Sequence, residues 1–179
     1  MIEEAGYDSF SLRELAARLG VKPASLYNHL DGVEEITAAV ALKAARELGA
    51  ALRAATEGKE PDEAFFDGAL AYRSFATEKP ELYKAFIRTP LLSDGKAKEA
   101  GRLSFAPMRK IIRSYGLSQT DFVRFHRSFR SVMHGFIELT NNGFMTFGNE
   151  EQDVSYEHII RKYLEDLKEY RERNGEEKK

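Results

Sequence analysis

The chain has no cysteine and no tryptophan among its 179 residues. Without thiols, disulfides, zinc–thiolate centres and a cysteine nucleophile are excluded. Only 5 prolines interrupt it, and no apolar run approaches the roughly 18 residues a membrane-spanning helix needs. The N-terminus lacks the basic-then-apolar pattern of a secretory leader, so a cytoplasmic protein with no membrane partner is expected. A strongly basic balance is also missing. The formal net charge is −2, and the first fifty residues carry more Asp and Glu than Lys and Arg, the reverse of the footprint many nucleic-acid binders show. No strand-like alternation and no internal repeat stand out.

What is present favours helix throughout: many Ala, Leu, Glu, Lys and Arg, with 12 Phe and 8 Tyr to line an interior. An all-α chain follows, long enough for one large domain or a small domain fused to a larger one. The organising stretch is 11–30, SLRELAARLGVKPASLYNHL. Ser11 is a good N-cap, and Glu14 three residues on completes a capping box. Leu12, Leu15, Ala16 and Leu19 repeat at helical spacing. Gly20 stops the helix in the left-handed conformation, with Val21 expected to bury under the turn. Pro23 suits the first position of a second helix, which is expected to run to about His29 with Leu26 and Leu30 facing inward. Two short helices joined by a tight turn make a helix-turn-helix, whose second helix can enter a major groove.

With Ser11 and Arg13, the Leu15–Ala16 pair, Leu19–Gly20–Val21, Leu26–Tyr27 and His29, this stretch resembles the DNA-binding region of the TetR family of transcriptional regulators. The resemblance is dense over about a quarter of the chain. It implies a three-helix head, a linking helix and a helical C-terminal domain that binds an effector and dimerises. It also places Ser11, Arg13, Tyr27 and His29 on the DNA backbone. Two features depart from the pattern. Met1–Tyr7 reads as the last turns of a first helix ending at Gly6, most of that helix being absent; residues 1–30 are therefore expected to have a loose core and to be the least ordered part of the fold. Val33 stands near a place where the family often has a phosphate-touching Lys.

The remaining chain reads as helices. Asp31 and Glu34 suggest a cap for a long helix over 33–56, with Ile36, Val40, Ala44 and Leu48 on its apolar face. A polar break at 57–61 precedes a helix over 62–77, then a short one over 81–88 ending before Pro90. Ser93–Asp94–Gly95 suggests a turn, and 96–115 a helix broken or kinked near Pro107. Ser118 caps a helix over 119–141 that carries a Phe122, Phe125, Phe129, Met133 and Phe136 stripe. An irregular stretch leads to a last helix over 155–173 and a frayed tail. The expected domains are a head over 1–32, a linking helix over 33–56, an effector-binding and dimerisation domain over 57–173, and a tail over 174–179.

In the second helix of the head, Pro23, Ala24, Ser25 and Asn28 are placed to face base edges. Lys22 can reach guanine or phosphate, and Tyr27 and His29 suit phosphate; for Tyr27 a partly buried role where the helices meet is the alternative. In the larger domain, His126, Arg130 and His134 fall at i, i+4 and i+8 beside the Phe stripe, with Glu138 one turn on. His134–Gly135–Phe136 resembles a His–Gly signature of one TetR branch. An effector pocket lined by Tyr72, Phe75, Phe86, Phe105, Met108, Phe129, Arg130, Met133, His134 and Glu138 is expected; a buried His bonded to a neighbouring helix is the bland alternative. Basic residues greatly outnumber Asp121 over 101–130, fitting an anionic effector or, more simply, a solvated face.

No metal-ligand spacing and no nucleophile–base pair is present, so no metal, cofactor or catalysis is expected. The expected function is a ligand-responsive regulator, a repressor, that binds palindromic operator DNA as a homodimer through its last two long helices. Its expected effector is small and largely apolar. The alternative is a helical small-molecule-binding or adaptor protein without DNA binding.

Overall fold

The computed structural model describes residues 2–9, 11–30, 32–88 and 101–176. Among them there is no strand. The helices are α1 (Ile2–Ala5), α2 (Leu12–Leu19), α3 (Pro23–Tyr27), α4 (Val33–Thr56), α5 (Pro61–Glu78), α6 (Pro80–Arg88), α7 (Ala106–Ser114), α8 (Gln119–Asn141) and α9 (Gln152–Glu176). The chain divides into two compact units, Met1–Gly49 with Glu78–Ser104, and Ala50–Thr77 with Phe105–Lys179.

The first unit holds the helix-turn-helix. Ser11 Oγ accepts the Glu14 N–H at 3.2 Å, capping α2. Gly20 ends it at φ +67°, where a side chain would be strained. Among the described residues of 2–30, Ile2, Leu12 and Ala16 are buried. A groove of about 230 Å³ lies open between Ile2, Leu15, Ile36, Val40 and Leu82.

Several expectations for this hairpin need correction. Val21 is 42% exposed and Leu19 59%; the Val21 N–H bonds back to the Ala16 carbonyl at 3.0 Å, and its side chain stays on the outside of the turn. Leu26 and Leu30 are only half-buried, and α3 ends at Tyr27 rather than His29, with Asn28 as its C-cap. The expected Asp31 cap lies outside the described residues. Close packing replaces side chains where α4 meets residues 103–104: a Cβ on Gly49 would stand 3.2 Å from Ser104 Cα.

The second unit is built on aromatic rings. Phe65, Phe125, Phe129 and Tyr163 form one cluster, with Phe65–Phe129 centroids 4.7 Å apart and Phe129–Tyr163 5.0 Å. Tyr156 is fully buried, and its hydroxyl donates to the Ala69 carbonyl at 3.0 Å. Asp62 ties three elements together: it accepts from the Tyr115 hydroxyl at 2.7 Å and pairs with Lys168 at 3.1 Å and Arg171 at 3.3 Å. Gly68 lets α5 and Met108 meet, because a methyl group there would run into Met108 Sδ.

Elements α4 and α8 have the expected bounds. The helix expected over 96–115 is broken just before Pro107: residues 101–104 are helical, Phe105 turns, and α7 restarts at Ala106. Its start at 96–100 and the Ser93–Gly95 turn lie outside the described residues. The last helix is longer than expected at both ends; 174–176, expected as a frayed tail, are its final turn, and 177–179 are outside the described residues.

Candidate DNA-reading surface and effector cluster

Every one of the nine residues expected to touch DNA is solvent-exposed on α2, α3 or their flanks: Ser11, Arg13, Lys22, Pro23, Ala24, Ser25, Tyr27, Asn28 and His29. Tyr27 is 62% exposed. Lys22 is the exposed N-cap of α3; its ammonium has no acceptor for the helix N–H groups. Pro23 opens α3 at a position where its missing N–H is harmless. The result is a short helix that buries none of its five residues.

In the second unit, the expected effector residues split into groups. Tyr72 and Phe105 meet edge to face at 6.0 Å, and the Arg130 guanidinium lies 5.9 Å from the Phe105 ring centre. Tyr72, Phe75, Phe105, Met108, Phe129 and Met133 are buried, whereas Arg130, His134 and Glu138 are half-buried. Phe129 belongs to the separate ring cluster with Phe65, Phe125 and Tyr163. Phe86 is buried on α6 in the first unit. Among the described residues no three His, Asp or Glu side chains gather as a metal site would require.

The structure adds a residue to this group. His126 stacks on Phe122 at 5.8 Å and meets the edge of Phe105 at 5.3 Å. Its Nε2 is buried without a hydrogen-bond partner. Burial first, then the positive charges of Arg130, Arg109 and Arg127, push its pKa down to about 4, so the ring is neutral at physiological pH. A neutral imidazole with an unpartnered nitrogen beside Phe105 and Phe122 can exchange a hydrogen bond with a bound molecule. Spacing placed His126 one turn before Arg130 but gave no sign that its nitrogen would be the unpartnered one. Arg73 was missed for the same reason: its guanidinium lies over Tyr156 at 5.1 Å and Phe136 at 5.8 Å, pairs with Asp153, and keeps a buried Nε without a partner.

Two family models match the chain. Residues 65–163 match the tetracyclin repressor-like C-terminal domain, and residues 1–40 match the bacterial regulatory proteins of the tetR family. An uncharacterized HTH-type transcriptional regulator of Mycobacterium tuberculosis, Rv0681, is 35% identical over 145 residues, which are 80% of this chain and 66% of the relative. The chain thus spans just under two thirds of that relative's length. A protein of unknown function from Rhodococcus sp. RHA1 superposes with a TM-score of 0.71 at 24% identity, covering 94% of this chain and 88% of the other. A TetR variant from Acinetobacter baumannii AYE, solved in complex with minocycline, does so at 0.69 and 16% identity, covering 95% and 91%. Those two structures have the same fold.

Proposed function

The chain belongs to the tetR family of bacterial regulatory proteins, which are transcriptional regulators and not enzymes, and on that premise we propose that it is a ligand-released repressor. The observation that carries this reading is α3, a helix exposed at Pro23, Ala24, Ser25 and Tyr27 behind a capped α2 and a glycine turn. Asn28 is suited to a bidentate pair with adenine and Lys22 to guanine or phosphate. Ser11, Arg13, Tyr27 and His29 fit backbone contacts, while Pro23, Ala24 and Ser25 face the bases. The head is assigned to 1–32, the linking helix to 33–56, and effector binding and dimerisation to 57–173.

One short helix buries little surface, so operator binding calls for two heads about 34–36 Å apart on a palindrome. Pairing through α8 and α9 supplies them. Its support is an outward stripe on α8, Ser128, Val132, Gly135 and Leu139 at i, i+4, i+7 and i+11: Val132 is 37% exposed, Leu139 45%, and a Cβ on Gly135 would meet nothing. Such a small, apolar stripe suits helix–helix contact across a two-fold axis.

The effector site is the Tyr72–Phe105–His126–Arg130 group, with Phe75, Met108, Met133, His134 and Glu138 as candidate neighbours. It favours a small, largely apolar molecule with one polar group for His126 Nε2. Effector binding shifts the linking helix and thereby the head spacing; a coupling of about 1–3 kcal/mol suffices for partial release.

Selection of bound duplexes from a random double-stranded library tests the regulator reading. It is expected to return a palindrome with half-sites one helical turn apart. Recovery of no consensus sequence would favour the alternative, a helical small-molecule-binding protein without DNA binding.

A further inference from the structure

One concavity of the second unit does not involve the Tyr72–Phe105–His126–Arg130 group. A cleft of about 540 Å³ opens between the last turn of α4, the start of α5 and the outer side of α7. That volume lies within the range of small-molecule sites. Pro61, Ala64, Ala106, Pro107 and Ile111 give it apolar walls.

The polar groups around it are not equivalent. The Thr56 hydroxyl donates to the Leu52 carbonyl at 2.8 Å, and the Ser114 hydroxyl to the Ile111 carbonyl at 2.7 Å. Both protons are thereby engaged within their own helices. Lys59 is held by Asp67 and by Glu63. Arg53 and Lys110 also line the cleft, and neither has an ion-pair partner among the described residues. Glu57 contributes an acidic group at the same rim.

The contrast with other cations of the 101–130 stretch is informative. Arg113 lies 4.0 Å from the Phe122 ring centre, Arg124 pairs with Asp121 at 3.8 Å, and Arg130 lies over Phe105. Lys110 is instead left at the mouth of an apolar cleft with the unpaired guanidinium of Arg53. A solvated charged face needs no apolar concavity beneath it, and an apolar cleft needs no cations. Together they match a molecule that is apolar at one end and negative at the other, with the charge-assisted bonds as its anchor.

We propose that this cleft binds a small amphipathic organic anion, a carboxylate on an apolar body. Arg53 and Lys110 take the carboxylate, and Pro61, Ala64, Pro107 and Ile111 cover the body. This site is separate from the effector group above and stands whether or not that assignment does.

Calorimetric titration of the full chain with octanoate tests it, with octanol and acetate as controls. The expected result is saturable 1:1 binding of octanoate, at least tenfold tighter than octanol or acetate. Arg53→Ala and Lys110→Ala should each weaken it about tenfold, with Arg53→Lys keeping more affinity than Arg53→Ala. Both side chains are exposed, so the variants should unfold at the same temperature as the parent. Absence of octanoate binding, equal binding of octanol or acetate, or unchanged affinity in both alanine variants would overturn the proposal.

Discussion

The backbone N–H of Tyr7 donates to Glu81 Oε2 at 2.5 Å, across 74 residues of sequence. A second link, Arg88 to Asp8 at 2.7 Å, joins the far end of α6 to the same loop after α1. The first unit is therefore held together partly by polar contacts between α6 and the 6–9 loop. Among the described residues of α2 and α3, only Leu12 and Ala16 are buried, so these polar links carry weight.

Burial raises the Glu81 carboxyl, but the Tyr7 N–H and the charges of Lys84 and Arg88 outweigh it, and the group sits below its ordinary value. A depressed carboxylate stabilises the fold above its unfolded pKa of about 4.3, and that contribution is lost as pH falls through the lower folded value. Glu81→Ala is expected to cost about 1–2 kcal/mol at neutral pH and to flatten the acid limb of stability. Urea unfolding between pH 7 and pH 3 measures both.

Gly68→Ala sets two effects of opposite sign against each other. Alanine improves helix propensity by about 1 kcal/mol, but its methyl group would strike Met108 Sδ and stand 3.0 Å from Thr56 Cγ2. Met108 is fully buried and has little room to yield, and overpacking costs about 1–3 kcal/mol. A net loss of about 1 kcal/mol is expected in chemical denaturation. A gain would show that Met108 repacks freely.

His126 titrates near pH 4 because its charged form is disfavoured by burial and by Arg130, Arg109 and Arg127. Its folded pKa lies below the unfolded value of about 6.5, so the unfolded chain takes up the proton first as pH falls. Its contribution to stability is complete above about pH 6.5 and is lost progressively from there toward about pH 4. An NMR titration should show no His126 transition between pH 6 and 8, and His126→Phe should remove this part of the pH dependence.

At Asp62 the hydrogen bond from Tyr115 and the pairs with Lys168 and Arg171 meet on one carboxylate. Tyr115→Phe removes one bond and leaves the carboxylate paired, so a loss of about 1 kcal/mol is expected. Asp62→Ala strands a buried hydroxyl and should cost about 2 kcal/mol. A double-mutant cycle should give a clear coupling between them.

The sequence carried the local signals well. Ser11 and Gly20 bounded α2, Ser118 opened α8, and the apolar repeat of 33–56 marked α4 from end to end. It was misleading where tertiary packing decides: Val21 and Leu19 look like core residues but are exposed on the outside of the turn. The all-α class followed from composition and helical spacing along the whole chain, and the family from the caps, turn and side chains of residues 11–30. The effector group did not follow in the same way. Choosing among Tyr72, Phe86, Phe105 and Phe129 depends on which rings meet across α5, α7 and α8, and helical spacing alone treats all four alike. The unpartnered Nε2 of His126 and the cations at the Arg53–Lys110 cleft are likewise products of packing.

Fluorescence anisotropy of a labelled duplex from upstream of the protein's own coding sequence, at about 50 and 200 mM salt, tests the regulator account most directly. Phosphate neutralisation makes such binding fall steeply with salt. The account predicts selective binding over an unrelated duplex, weakened by salt and lost in Tyr27→Ala, whose side chain is exposed and leaves the core untouched. Binding that ignores sequence, or that Tyr27→Ala leaves unchanged, would contradict it.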